Sequence, residues 1–221
     1  MNSYTEENYL KAIYKLLEQD NLKVTTNSIA ERMNVKASSV TDMLKKLADK
    51  KLINYEKYQG VTLTEKGRKT AVGVIRKHRL WEVFLVEKLN FKWNEVHDIA
   101  EQLEHIGANQ LTERLDKFLG HPKVDPHGDP IPDINGTIQS QDSKLLSQLK
   151  KGNTGLVTGV VDHSASFLQY LDKIGIGIGT IIKIEDITDY DKSLKAAIDR
   201  KKGIYISHEV AKNILIILNS E

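Results

Sequence analysis

Six histidine and glutamate side chains with metal-ligand chemistry fall on two neighbouring segments of this 221-residue chain. The first segment, KHRLWEVFL, carries His78 and Glu82 four residues apart, on one face of a helix. The second segment, residues 94–111, also has the residue spacing of a helix. At about 100° per residue, four of its side chains share an arc of about 100°: His97, Glu101, Glu104 and His105.

This donor set determines which metals are expected. The chain has no cysteine, so any metal must be bound through nitrogen and oxygen. Carboxylates mixed with imidazoles suit Mn²⁺, Fe²⁺, Co²⁺ or Zn²⁺. A single His/Glu pair on a helix surface is usually only solvated. If the two segments pack face to face, however, three carboxylates meet and require a countercharge, which predicts a metal site.

Residues 25–51 have the spacing of a helix-turn-helix. Helices are predicted over residues 28–33 and 38–50, separated by Asn34-Val35-Lys36. The start of the second helix is expected to approach base edges and phosphates, with lysines on the backbone. Residues 52–67 predict a hairpin wing around Gln59-Gly60. The candidate DNA-binding residues are Ser38, Ser39, Thr41, Asp42, Lys45, Lys46 and, in the wing, Lys57.

The charge distribution favours DNA binding by the N-terminal part. Residues 1–77 hold 15 Lys and Arg against 9 Asp and Glu, whereas residues 78–221 hold 17 against 21. Lysine and arginine supply most non-specific affinity for phosphate. The N-terminus lacks a signal-peptide pattern, and the longest apolar run, residues 214–218, is too short to span a bilayer. We therefore expect a cytoplasmic protein.

The architecture is expected to change at a proline-rich segment. All four prolines lie within residues 121–136, after a mostly helical part. Beyond them, residues 155–161, 180–187 and 213–218 predict strands, and SASFLQYLDKIG predicts a helix ended by Gly175. The fold is thus expected to be mainly α in its N-terminal part, with a small β domain at the C-terminus.

Six segments of the chain carry a family resemblance: EENYLKAIYKL, SSVTDMLKKL, LINYEKYQGVTLTEKG, KHRLWEVFL, EVHDIAEQLEHI and DPHGDPIP. They resemble, in the same order, segments of the diphtheria toxin repressor and manganese transport regulator family of metal-dependent repressors. The resemblance covers nearly the whole chain. The tail is similar to the SH3-like (FeoA-like) domain of longer members. The resemblance implies a winged helix-turn-helix over residues 1–75, a helical metal-binding and dimerisation domain over 76–140, and an SH3-like domain over 141–221.

One regulatory metal site is implied by this resemblance at Glu101, Glu104 and His105, with a contribution from Asn8. Iron-type members have cysteine at the Glu101 position, whereas manganese-type members tend to have glutamate, so Glu101 favours manganese. Lys11 stands where some manganese-type members have glutamate, which argues against a binuclear site there.

A second site is implied at His78, Glu82 and His97. Longer members add a Cys-Pro-His segment and an aspartate of the SH3-like domain, and in this chain an aspartate replaces the thiolate. An alternative for the proline-rich segment is a turn whose aspartate caps local amides. The further candidate ligands are Asp125, His127, Asp162 and His163.

The expected function is repression of metal-uptake genes by a homodimer on a palindromic operator, with Mn²⁺ as corepressor. Fe²⁺ is the alternative, and Zn²⁺ or Co²⁺ are expected to bind in vitro. The resemblance places the dimer interface on apolar residues that include Ile106, Leu111 and Leu115. A regulator sensing an organic ligand and a metalloenzyme are the rival classes. The sequence has no HExxH, GxSxG or P-loop, so no enzymatic activity is expected.

Overall fold

The computed structural model describes residues 2–19, 23–56, 59–139, 142–199 and 201–218. The chain forms two compact units. The first comprises Met1–His78, Glu101–Thr112 and Pro132–Ile138, and the second comprises Arg79–Ala100, Glu113–Ile131 and Gln139–Glu221. Among the described residues, no helix is long and apolar enough to cross a membrane.

The first unit is built on three helices and a two-stranded wing. The elements are α1 (Tyr4–Gln19), α2 (Thr26–Met33), α3 (Ala37–Asp49), β1 (Ile53–Glu56), β2 (Gly60–Leu63) and the beginning of α4 (Glu65–Leu89). Apolar residues at three- and four-residue spacing along α1, among them Leu10 and Ile13, pack with Leu44 and Leu47 of α3 in one core.

The helix-turn-helix and the wing agree with the prediction. Thr25 and Ser28 form a capping box at the start of α2, and Asn34 ends that helix in the left-handed conformation. Both helices begin one or two residues earlier than predicted. Strands β1 and β2 pair antiparallel from Ile53↔Leu63 to Glu56↔Gly60, as expected for a hairpin.

The predicted helix over residues 94–111 is wrong in extent. Helix α5 (His97–Leu103) ends before Glu104, and a separate helix, α6 (Asn109–Phe118), follows. The amide of Ile106 donates to the Leu103 carbonyl and closes a turn, and the Gly107-Ala108-Asn109 segment favours an interruption there. Glu104 and His105 therefore lie in a turn, and the expected arc of four ligands on one helix does not exist.

In the second unit, the C-terminal part of α4 packs on its own small core with Leu80, Val83, Leu115 and Ile131. Leu115 is thus buried within the unit and is not available for the expected dimer interface.

The rest of the second unit is a six-stranded antiparallel sheet with strand order β3-β8-β4-β5-β6-β7. The elements are β3 (Lys144–Leu145), β4 (Thr154–Val160), α7 (Ala165–Ile174), β5 (Ile181–Ile187), β6 (Leu194–Ile198), β7 (Lys201–Ile206), α8 (His208–Ala211) and β8 (Ile214–Leu218). The three predicted strands and the helix ended by Gly175 are confirmed. Strands β3, β6 and β7 are not among the predicted strands. The expected fold class is confirmed.

Candidate metal centres and DNA interface

The most enclosed group of metal-ligand side chains in the described part of the second unit consists of Glu82, Asp125 and His127. All three are buried, and one ligand atom from each lies within 4.8 Å of the others. Two donors that are each about 2.2 Å from one ion are at most about 4.4 Å apart. The 4.8 Å bound is close to this limit, so small side-chain movements would bring all three donors onto a single cation. We call this group the Glu82 cluster.

Glu82 comes from α4, and its two oxygens face two different histidines. Oε2 lies 3.5 Å from Nδ1 of His127, and Oε1 lies 3.5 Å from Nδ1 of His97. His97, at the start of α5, is only partly buried. The structure thus brings Glu82 and His97 together, as expected, and adds His127 on the other side of the carboxylate.

A backbone contact fixes the orientation of the His127 ring. Its Nε2 lies 2.8 Å from the Trp93 carbonyl oxygen, which can only accept, so Nε2 must donate. Nδ1 is then the atom left for a metal, and within the described part of the chain it is buried without a hydrogen-bond partner. A ring N–H held by a carbonyl is the usual support of a histidine ligand.

Asp125 combines the two roles considered for it. Its Oδ1 accepts the amide protons of His127 at 2.8 Å and Asp129 at 3.0 Å, which makes the predicted capped turn. Its Oδ2 lies 3.6 Å from Nε of Arg79, and Nη2 of the same arginine donates to Asp129 Oδ2 at 2.8 Å. The turn is therefore built by Asp125, and the second oxygen remains directed at positive charge.

Electrostatics in the Glu82 cluster favour a bound cation. Burial, and then the charge of Glu82, raise the pKa of Asp125 to about 7. Burial alone would lower the pKa of His127, but the adjoining Glu82 and Asp125 outweigh it and raise that pKa to about 9. Both shifts arise because two carboxylates share a buried space and attract positive charge, which protons or a metal ion can supply. The residues present therefore fit a divalent cation.

Two further predicted ligands have other contacts in the structure. Asp162 accepts the amide proton of Ser164 at 2.8 Å, just before α7. The His163 ring stacks on His127 with centroids 4.7 Å apart, and its Nε2 lies 3.2 Å from the Val160 carbonyl oxygen. Burial lowers the pKa of His163. His163 therefore packs against the ring of His127, a candidate ligand.

A second group of donors lies in the first unit around Glu104, which is fully buried. Lys11 Nζ lies 2.5 Å from Glu101 Oε1, and 2.7 and 2.8 Å from the two Glu104 oxygens. His78 Nδ1 lies 2.6 Å from Glu104 Oε2. The structure therefore brings His78 next to Glu104, and the site that the resemblance implies at His78, Glu82 and His97 stays a prediction.

His105 contacts this group from its other side. Its Nε2 lies 3.6 Å from Glu104 Oε1, and its Nδ1 lies 2.7 Å from Glu7 Oε2. The side-chain oxygen of Asn8 is buried and accepts no hydrogen bond from any described residue. Glu7 was missed by sequence reasoning, since nothing local to it indicates a partner 98 residues away. We call Glu101, Glu104, His105 and their partner Lys11 the Glu104 cluster.

Six of the seven predicted DNA-contacting residues lie on α3. Ser38, Ser39, Asp42 and Lys45 are exposed, and Thr41 is half-buried with its hydroxyl on the Ala37 carbonyl. Lys57 lies outside the described residues. A cleft of about 580 Å³ runs between the beginnings of α2 and α3 and the wing, lined by residues that include Thr26, Asn27, Ser38, Thr41 and Tyr55.

Lys46 is engaged with α1. Its Nζ lies 3.0 Å from Glu6 Oε1, and Lys50 Nζ lies 2.8 Å from the same oxygen. Glu6 is fully buried. Burial opposes its ionisation, but Lys50, the backbone of Ser3 and Lys46 together lower the pKa of Glu6 to about 2. These contacts hold α3 against α1, so Lys46 has a positioning role, and its contact with phosphate stays a prediction.

A winged helix-turn-helix with an exposed recognition helix, in a chain with two buried carboxylate–imidazole clusters, defines a metal-binding DNA-binding protein. Three family models match in succession: the iron dependent repressor N-terminal DNA binding domain over residues 1–61, the iron dependent repressor metal binding and dimerisation domain over 64–133, and the FeoA domain over 144–218. The chain belongs to the diphtheria toxin repressor family of metal-dependent transcriptional repressors.

Individual relatives agree with this assignment. The chain is 35% identical to a solved manganese-dependent transcriptional repressor in complex with manganese, with a TM-score of 0.86 over 97% of this chain and 100% of the other. It is 31% identical over 191 residues to the diphtheria toxin repressor of Corynebacterium glutamicum, covering 81% and 83% of the two chains. The iron-dependent repressor IdeR of Mycobacterium tuberculosis is 36% identical over 130 residues, which span 59% of this chain and 56% of IdeR.

The family confirms the expected class of function. Its members are DNA-binding transcriptional repressors, which are not enzymes, and they carry a dimerisation domain. Relatives differ in the metal that their names give, manganese for one and iron for another.

Proposed function

We propose that this chain is a manganese-responsive repressor whose corepressor ion is held by Glu82, Asp125 and His127. The observation that carries the proposal is the Glu82 cluster, in which three buried donors lie within 4.8 Å of one another. It falls in the segment matched by the metal-binding and dimerisation model. A bound divalent cation would neutralise the two carboxylates.

The ligand types favour manganese. Two carboxylates and one imidazole form a hard-to-borderline set without sulfur, which suits Mn²⁺ and also Fe²⁺. Zn²⁺ and Co²⁺ would be accepted in vitro. Iron is the second candidate because IdeR, at 36% identity, is named as iron-dependent. The candidate supporting residues are His97 on Glu82 Oε1 and His163 on the His127 ring. Of the remaining predicted ligands, Asn8, His78, Glu101, Glu104 and His105 all lie in the first unit.

The DNA target is a palindromic operator of metal-uptake genes, bound in the cytoplasm by a homodimer. A protein with two-fold symmetry presents one recognition helix to each half-site. DNA binding is assigned to residues 1–75, metal binding and dimerisation to 76–140, and the SH3-like domain to 141–221. Ile106 and Leu111 are exposed apolar side chains and support a dimer contact.

Metal control requires only that the ion binds the DNA-competent arrangement more tightly than the other. A coupling free energy of about 1–3 kcal/mol would change DNA affinity about 5- to 150-fold. The chain's contribution is to keep Glu82, Asp125 and His127 in place, through the Trp93 carbonyl and the turn at residues 125–128.

The proposal is tested by selecting DNA sites from a random duplex pool with chelated protein plus Mn²⁺. Binding of the selected duplex is then measured by fluorescence anisotropy in EDTA, in Mn²⁺ and, without oxygen, in Fe²⁺. Glu82→Gln removes a ligand charge at nearly constant volume. Glu87→Gln is the matched control, since Glu87 lies on the same helix with half of its side chain exposed.

We expect two-fold symmetric selected sites, binding at least fivefold tighter in Mn²⁺, and loss of the metal effect in Glu82→Gln but not in Glu87→Gln. Equal affinity in EDTA and Mn²⁺ would overturn metal control. A larger gain in DNA affinity with Fe²⁺ than with Mn²⁺ at equal free concentration would identify iron, not manganese, as the corepressor. A metal response that survives in Glu82→Gln would remove the Glu82 cluster from the switch.

A further inference from the structure

Lys11 is an unusual side chain to find at the Glu104 cluster. It lies on α1 and is 8% exposed, yet it carries a charged end group. An ammonium has three N–H donors and no acceptor. Three carboxylate oxygens, one of Glu101 and two of Glu104, lie 2.5, 2.7 and 2.8 Å from Nζ. The three donors and the three nearest oxygens therefore match in number.

The Glu104 carboxylate depends on the positive charge of Lys11. Its side chain is completely buried, so water does not compensate its charge. One oxygen faces Lys11 Nζ at 2.7 Å and Nε2 of His105 at 3.6 Å. The other faces Lys11 Nζ at 2.8 Å and Nδ1 of His78 at 2.6 Å. A carboxylate buried in this way is stable only with a paired cation and hydrogen bonds, and Lys11 supplies the cation.

A divalent ion ligated by Glu101 and Glu104 would need the same oxygens that Lys11 occupies. The ion would have to displace Nζ, and the displaced ammonium would remain on a largely buried side chain next to the ion. Like charges at that separation repel, and the lysine would lose three charge-assisted hydrogen bonds. Occupation by lysine and by metal are therefore mutually exclusive at this position.

We propose that Lys11 is a built-in countercharge which ties α1 to Glu101 and Glu104 without metal, so that this cluster holds no regulatory ion. The inference rests on the proposed function in one respect: the metal response is then left to the Glu82 cluster. The chain would bind one regulatory ion, and the contact from α1 to Glu104 would be permanent.

The first measurement is the number of Mn²⁺ ions bound per full-length chain, by equilibrium dialysis and elemental analysis at saturating free Mn²⁺. Wild type, Glu82→Gln, Glu104→Gln, Lys11→Met and Lys11→Met/Glu82→Gln are compared. Lys11→Met keeps most of the length of the side chain and removes its charge. We expect one ion in wild type and in Glu104→Gln, none in Glu82→Gln, two in Lys11→Met and one in the double variant.

The second measurement is thermal denaturation in EDTA, which reads out the countercharge without any metal. Lys69→Met is the matched control, because Lys69 forms a 2.8 Å ion pair with Glu65 in which both partners are exposed. Lys11→Met should lower Tm by more than Lys69→Met, since it removes the cation from the buried Glu104 carboxylate, whereas surface pairs contribute little. Mn²⁺ should then raise Tm further in Lys11→Met than in wild type.

The outcomes separate this inference from the proposed function. Two ions in wild type, one of them lost in Glu104→Gln, would overturn the inference and leave the proposed function standing. One ion that is lost in Glu104→Gln and kept in Glu82→Gln would overturn both. No bound ion in wild type would overturn the proposed function alone, while equal Tm losses in Lys11→Met and Lys69→Met would overturn the countercharge. The wild-type and Glu104→Gln ion counts decide the matter even if Lys11→Met does not fold.

Discussion

Replacing Gly128 by alanine tests whether the turn that carries His127 is held against β4 as the structure indicates. Gly128 has φ +90°, and a Cβ atom added to it would lie 2.0 Å from the Thr158 carbonyl oxygen and 2.4 Å from Gly159 Cα. Real Cβ atoms essentially never approach other atoms within 3.0 Å. Because interiors are close-packed, the turn or the strand must shift by about 1 Å.

The expected loss of stability has two contributions. A left-handed conformation costs an L-residue about 1–2 kcal/mol, and forced overpacking adds about 1–3 kcal/mol. Gly120→Ala is the matched control: Gly120 has φ +76° and nothing within 4 Å of the added Cβ. With about 2–4 °C per kcal/mol for a chain of this size, Tm should fall by about 2–8 °C in Gly120→Ala and by about 4–20 °C in Gly128→Ala.

Metal binding should separate the two variants further. His127, a proposed ligand, precedes Gly128 directly, and metal–ligand distances lie within about 0.2 Å of their usual values. Gly128→Ala should therefore weaken Mn²⁺ binding at least about tenfold in isothermal titration calorimetry, and Gly120→Ala should leave it unchanged. Equal Tm losses together with wild-type Mn²⁺ affinity in Gly128→Ala would refute the close approach of the turn to β4.

Three more predictions concern the first unit, which carries the helix-turn-helix and is called the DNA-binding unit below. Because the pKa of Glu6 is lowered to about 2, its ionised carboxylate stabilises the fold fully above the pKa of the unfolded state, and this effect disappears as pH falls towards 2. Glu6→Gln should therefore lower Tm at pH 7, and the Tm difference from wild type should shrink below about pH 4.5. A Tm difference that does not depend on pH would contradict this. Thr25→Ala removes the cap of α2 and should cost about 0.5–2 kcal/mol in denaturant unfolding; a change no larger than that of Thr62→Ala, an exposed wing threonine, would argue against it. Lys45→Ala should reduce the slope of log affinity against log salt by about one per subunit, and an unchanged slope would remove Lys45 from the phosphate contacts.

The DNA-binding unit is largely predictable from sequence because its signals are local. The capping pair Thr25 and Ser28, the left-handed Asn34 and the Gln59-Gly60 turn each act within a few residues. The three- and four-residue spacing of apolar residues then indicates the buried face of each helix. Strands β6 and β7 are harder to predict, since the buried face of β6 includes the small Ala196 between Leu194 and Ile198.

The metal clusters are only partly predictable, since their contacts join distant parts of the chain. Helical spacing indicates which residues would share one face of a helix. The predicted arc of four ligands over residues 94–111 is nevertheless wrong, because α5 ends at Leu103. Lys11 and Glu104 are 93 positions apart, and no local pattern relates a lysine on α1 to a carboxylate in a later turn. Residue types indicate which metals suit the chain, whereas the pairing of side chains requires the fold.

The position of β8 in the sheet has a consequence for how the C-terminal domain is made. Strand β8 lies between β3 and β4, although it is synthesised after every other strand of the sheet. Until β8 leaves the ribosome, the β4 edge stays unpaired and open to other chains. Such non-local pairing also folds slowly. A nick that removes Ile214–Leu218 would therefore open the sheet in its interior, where Ile214 and Ile216 are fully buried.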